Sequence, residues 1–243
     1  MISTNPTSFV KGRTYAVSFP YETSANATSR NVFDRTRNDA SLTVDEAFNY
    51  APMGINAAGQ TVRLYSLSRF NPNTLTYEAI PDNGLLLRGE GYLLRVNDAP
   101  ANGETLRLAM PADNPLLQAL TVGNNLNVMR FTINLVYNAS LAGNGLNGRN
   151  LIGFGFDPAK YNAVVWDTTS TGTVAGQNTS AQIMFNGQNY TVKDAVAAGL
   201  INGSLLDATT GRAVNSVNVY GGYFVTARRA GVVLRFQNPI TNN

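Results

Sequence analysis

Gly143-Asn-Gly-Leu-Asn-Gly148 carries the glycine spacing of a dinucleotide-binding loop. Such a loop works when a strand leads in and a helix leads out, because the helix aims its first amides at a pyrophosphate. Here the segment that follows, residues 151–156, reads as a strand, so the expectation is a turn. Ser8-Phe-Val-Lys11 has the spacing in which a lysine activates a serine nucleophile. Neither a helix start nor the partner motifs accompany it. Carboxylate pairs are the remaining route to hydrolysis. Only five glutamates exist (Glu22, Glu46, Glu78, Glu90 and Glu104), and Glu46 and Glu90 read as capping and turn residues. Asp157 and Asp167, flanking a Pro and a Trp, read the same way. The oxygen-rich set Asp34, Asn38, Asp39 and Asp45 is the one place where calcium could be held, and it lacks the spacing of an EF-hand.

Zero histidine removes the commonest general base, and zero cysteine removes thiolate metal sites and disulfides. The expectation is therefore no enzyme, no cofactor and no metal. Stacking on aromatic rings is the chemistry left. Trp166, Tyr220 and Tyr223, with Tyr65, Tyr77 and Tyr92 in the other half, have the flat apolar faces that sugar rings pack on. Tyr92 and Tyr223 stand at matching points of the two halves, however, which favours core roles. Five Asn-x-Ser/Thr sequons, at Asn26, Asn138, Asn178, Asn189 and Asn202, would matter only in a glycosylating exporter.

The elements that would position these residues come twice. Tyr15-Ala-Val-Ser-Phe-Pro20 and Asn150-Leu-Ile-Gly-Phe154 are strands of one kind. Each is followed by a Thr-Val-x-acid-Ala pentad, at Thr43 and at Thr191, and then by a Gly-Tyr strand at Gly91 and at Gly222. Three landmarks in one order imply an internal repeat. Thr43 with Glu46, and Thr191 with Asp194, read as caps of equivalent short helices, the second ending at Gly199. Alternation marks strands at residues 62–70, 75–80, 92–96, 127–137, 181–185 and 231–236. The expected fold is mainly β, with two similar sandwich-like modules in tandem, residues 1–115 and 116–243, each holding one short helix.

Hydrophobic residues make up 44% of the chain and charged ones only 14%. The first figure supports real cores; the second leaves the surface to Asn, Thr, Ser, Gln and Gly, a bias of secreted β proteins and fibre subunits. The net charge of +3 is scattered, with Arg228-Arg229 its longest run, so nucleic acid is not an expected partner. No apolar run suffices for a membrane helix. The first residues lack the regions of a signal peptide, so export would imply a leader absent from this chain.

The second-half motifs Arg149-Asn-Leu-Ile-Gly-Phe154, Val165-Trp166 and Tyr220-Gly-Gly-Tyr-Phe-Val225 resemble a known module. It is the duplicated "GWN-LIGNPF … GYWV" β-module of secreted and surface proteins of Armatimonadetes and other, often thermophilic, bacteria. Val17-Ser-Phe-Pro20 and Gly89-Glu-Gly-Tyr92 are similar to its partner copy. Arg149, Gly155, Leu93 and Phe224 depart from its Trp, Pro, Trp and Trp. The resemblance implies a surface-exposed, non-catalytic accessory or structural role. Together these features lead to the expectation of an extracellular or cell-surface assembly module, a fibre or surface-layer subunit that pairs with itself or with a cell-surface polymer. Its donor strand would lie in residues 1–10, with Ile2, Phe9 and Val10 as contacts. The alternative is a carbohydrate-binding module built on Trp166, Tyr220 and Tyr223.

Overall fold

A computed structural model describes residues 8–19, 33–34, 39–40, 42–87, 89–108, 130–154, 163–169 and 179–237. Within them the chain is mainly β, with several antiparallel sheets and essentially one short α-helix. The first half holds β1 (Thr14–Ser18), β2 (Phe33–Asp34), β3 (Asp39–Ala40), β4 (Leu42–Thr43), β5 (Met53–Ile55), β6 (Thr61–Arg63), β7 (Tyr65–Asn71), β8 (Thr76–Ala79), β9 (Leu85–Leu86) and β10 (Gly91–Val96). The second holds β11 (Arg130–Asn134), β12 (Arg149–Gly153), β13 (Ala163–Val165), β14 (Thr179–Phe185) and β15 (Gln188–Thr191). After these come α1 (Val192–Ala197), β16 (Leu205–Asp207), β17 (Ala213–Val214), β18 (Ser216–Asn218), β19 (Gly222–Thr226) and β20 (Val233–Gln237).

Two four-stranded sheets share one plan. The first runs β1-β10-β7-β8 and the second β12-β19-β16-β17. Their registers agree: Val17 faces Tyr92 and Ser18 faces Gly91, while Ile152 faces Tyr223 and Gly153 faces Gly222. Period-two burial explains the strands, since Tyr65 and Leu67 of β7 and Tyr92, Leu94 and Val96 of β10 are buried. Their outer hairpins are alike too. Asn71 and Asp207 open turns in which their carbonyls accept the amide four residues on, from Leu75 at 2.8 Å and Gly211 at 2.7 Å. Both closing residues are left-handed, at φ 59° and 71°. A third sheet, β11-β20-β14-β13-β18 with β15 on β14, belongs to the second half, and its β13–β14 pair is parallel.

Each half has its own core. One gathers residues from Phe9 to Leu108 around Phe48, whose ring lies 4.5 Å from Tyr65 and 5.9 Å from both Phe9 and Phe19. Burial raises the Tyr65 phenol far above its ordinary range, and its hydroxyl lies 3.0 and 2.9 Å from the carbonyls of Val44 and Tyr50. The other core runs from Leu135 to Phe236 and includes Trp166.

The two helical pentads part company. Thr191 caps α1 as expected, its Oγ1 accepting the Asp194 amide at 3.1 Å. Gly199, at φ 66°, lets the Leu200 amide return to the Ala195 carbonyl at 2.9 Å. Replacing Thr191 by alanine should lower stability by about 0.5–2 kcal/mol in a urea titration. At Thr43 the expected helix is instead a single 3₁₀ turn, Val44–Glu46. The amides of Val44 and Asp45 are claimed by the carbonyls of Gly84 and Asp82, at 3.1 and 3.0 Å. Those first amides would lack partners within any helix. The Asn49 amide, which a continuing helix would send back to Asp45, goes instead to the Arg107 carbonyl at 3.1 Å, and the segment stops after one turn.

The halves meet through reciprocal contacts at the free edges of β1 and β12. The Ser18 amide donates to the Tyr220 carbonyl, and the Gly153 amide to the Gly89 carbonyl, both at 2.9 Å. Val17 bridges Gly221 as Ile152 bridges Glu90. Glycine makes the approach possible: a Cβ on Gly153 would lie 2.3 Å from Ser18 Cβ, and one on Gly222 2.9 Å from Ala16 Cβ. Phe70 and Phe224 meet edge to face across the junction, their ring centres 5.5 Å apart. The Arg149 guanidinium lies 4.8 Å from the Phe224 ring centre.

Candidate functional site

Of the stacking residues nominated by sequence, Trp166, Tyr223, Tyr65 and Tyr92 are buried and Tyr220 packs on a core, while Tyr77 is exposed. Trp166 is 3% exposed, and its indole nitrogen donates to the Gly203 carbonyl at 2.8 Å. Tyr223 is 4% exposed, and its hydroxyl accepts the Asn218 amide at 3.1 Å. Tyr92 repeats that bond in the first half, accepting the amide of Leu87, again five residues upstream. Burial pushes both phenols up. Tyr220, left-handed at φ 64°, packs half-buried against the first core while its carbonyl serves the junction. The three rings do not form a common exposed face. This corrects the platform on Trp166, Tyr220 and Tyr223: their apolar faces are core surface.

The N-terminal contacts change as well. Ile2 lies outside the described residues. Phe9 is 6% exposed, pairs with Leu106 of its own chain and packs on Tyr15 at 5.0 Å, so it is a core residue and not a free assembly contact. Val10 is exposed, at 54%.

The chemical motifs resolve into local structure. Gly143-Asn-Gly-Leu-Asn-Gly148 is a run of turns entering β12, with no helix after it. Asn147 Oδ1 accepts the Asn138 amide at 3.2 Å there, beside a recess of about 290 Å³ bordered by Tyr137, Asn202 and Arg228. Lys11 turns to Asp98 at 2.6 Å rather than to Ser8. Lys11, the Asn56 side chain and the Ala99 amide hold the Asp98 carboxyl down at about 2. The interactions that favour its charged form are thus present above the usual carboxylate range and are lost as pH falls through about 2.

Other carboxylates are engaged in the same way. Asp82 pairs with Arg63 at 2.7 Å. Glu104 accepts the Tyr50 hydroxyl at 2.6 Å, which raises that phenol, and Glu90 accepts that of Tyr92 at 3.1 Å. Asp167 accepts the Thr169 amide at 2.7 Å. Asp157 and Asn38 lie outside the described residues, while Asp34 and Asp39 pair across β2 and β3. Among the described residues no three acidic, His or Cys groups gather as metal ligands, and no helix is long and apolar enough to cross a membrane.

What sequence reasoning passed over is the outer edge of the first sheet. Among the described residues β8 pairs only with β7. All four of its residues are exposed, Tyr77 at 48% with its ring 5.3 Å from that of Phe70. The clue lay in Thr76-Tyr-Glu-Ala79, a short strand without lysine or proline that follows a tight turn. Comparison of the chain with protein-family models, curated proteins and solved structures finds no match.

Proposed function

We propose that this chain is a non-enzymatic structural module of the cell exterior, a subunit or accessory part of a fibre or surface layer whose partner is a second copy. The observation that carries this reading is the outer edge of β8, which is unpaired among the described residues. A row of free amides and carbonyls on an exposed strand templates another strand unless lysine, proline or a cover blunts it. This strand has neither residue. Low charge agrees, because little like-charge repulsion separates copies.

The carboxylates tied into turns and pairs support a non-catalytic role, as does a chain without histidine or cysteine. Placement outside the cell is supported by composition, with its uncharged polar surface. The module is further read as two copies of one unit in tandem. Supporting this are the shared strand order and register, the two tyrosine hydroxyls bonded five residues upstream and the matching hairpin turns.

Light scattering on size-exclusion fractions across a concentration series, with electron microscopy of the eluate, tests the assembly reading. Mass should rise with concentration toward dimers and larger forms. A monodisperse monomer at millimolar concentration would remove it.

A further inference from the structure

We infer that β8 is a homotypic docking edge, pairing antiparallel with β8 of a second copy so that Tyr77 stands opposite its own counterpart; this rests on the reading of the chain as an assembly subunit. Backbone direction comes first. Ile80 donates its amide inward to the Leu67 carbonyl at 2.9 Å, and Ala79 faces Ser68 in the same register. Alternate residues of a strand turn their amides and carbonyls to the same side. Thr76 and Glu78 therefore point toward β7 with Ile80, while Tyr77 and Ala79 present theirs to the open edge.

Symmetry then narrows the register. Two copies extending one sheet across a two-fold axis keep each residue on its own face, so a residue can oppose only itself or one an even number of positions away. Centring the axis on Glu78 would place two carboxylates directly opposite, about 4.5–5.5 Å apart between Cβ atoms, where like charges repel. Centring it on Tyr77 gives a reciprocal pair of amide–carbonyl bonds between the two tyrosines. It sets the rings side by side over Phe70, an aromatic cross-strand pair, and puts Thr76 opposite Glu78 on the other face. The product is a continuous eight-stranded sheet, β1-β10-β7-β8 followed by the same order reversed. This contact closes on itself, so it makes a pair; a fibre would need a second, different contact.

The chain has no cysteine, so a single introduced thiol reports the register without background. In the full-length protein, Tyr77→Cys should form a disulfide-linked dimer under mild oxidation. Facing Cα atoms of a hydrogen-bonded pair are about 5.5 Å apart, inside disulfide range. Glu78→Cys should remain monomeric on a non-reducing gel, because its counterpart is then beyond the roughly 7 Å limit. Tyr77→Pro deletes the outward amide and leaves the β7 bonds in place. It should weaken association at least tenfold by sedimentation equilibrium with an unchanged circular-dichroism spectrum. Cross-linking through Glu78→Cys in place of Tyr77→Cys, or wild-type association in a folded Tyr77→Pro, overturns the proposal. If the wild type self-associates but Tyr77→Cys stays uncross-linked, this interface alone is lost. If the wild type is monomeric at every concentration, the assembly reading is lost with it.

Discussion

Gly148→Ala should destabilise the second half by about 2–5 kcal/mol in urea denaturation, the sum of a conformational and a packing cost. The residue is left-handed, at φ 76°. A side chain in that region costs roughly 1–2 kcal/mol. A Cβ built there would also sit 1.9 Å from the Ala227 carbonyl oxygen, a backbone atom that cannot swing aside. Overpacking of this kind costs about 1–3 kcal/mol. The Ala227 amide donates to the Gly148 carbonyl at 2.8 Å, so the chain leaving β19 would have to shift as a unit. Gly143→Ala separates the two effects. Its φ is 94°, but nothing lies within 4 Å of a Cβ. Only the conformational cost, roughly 1–2 kcal/mol, should appear there. Equal losses in the two variants would mean that the Ala227 contact is not made.

Gly153→Ala should act on the junction, costing about 3 kcal/mol, the upper end for overpacking. Its Cβ would meet Ser18 Cβ at 2.3 Å and the Glu90 carbonyl at 2.5 Å, so neither sheet could yield without moving the other. The loss should include coupling between the halves: two unfolding transitions should separate in the variant where the wild type shows closer melting. Gly145→Ala, in open space without a positive φ, is the control. It should stay within about 0.5 kcal/mol of wild type, as surface substitutions do. A Gly153→Ala protein as stable as that control would contradict the junction geometry.

The strands were readable where one face alone is buried. Tyr65-Ser-Leu-Ser alternates cleanly and Leu94-Arg-Val96 does so at the end of its run, and both segments are strands with Tyr65, Leu67, Tyr92, Leu94 and Val96 inside. The Thr191 cap was readable because its partner amide is three residues away. Thr43 had the same local signal and a different outcome, because the Asn49 amide that would continue the helix is taken by Arg107, far along the chain. Trp166 was a platform candidate for its flat apolar ring, and only the fold brings Gly203 to its indole. Phe9 looked like a free strand contact because its partner Leu106 is distant in sequence. The glycines before Tyr92 and Tyr223 were visible as a motif. Their purpose was not, since the backbone they admit belongs to the other half. The open edge of β8 went unread because an edge is defined by what fails to pair.

The junction also discriminates between partners. Ser18 and Gly153 hold corresponding registers on the two sides, yet one carries a hydroxymethyl group and the other carries nothing. The serine Oγ accepts the Phe154 amide at 3.3 Å, in space that exists only because Gly153 is bare. Two first halves brought together in this way would drive serine against serine. Two second halves would leave both of those amides unanswered. A single missing hydroxymethyl group thus makes unlike pairing the favoured choice, and it steers each half toward its covalent neighbour rather than toward its own kind.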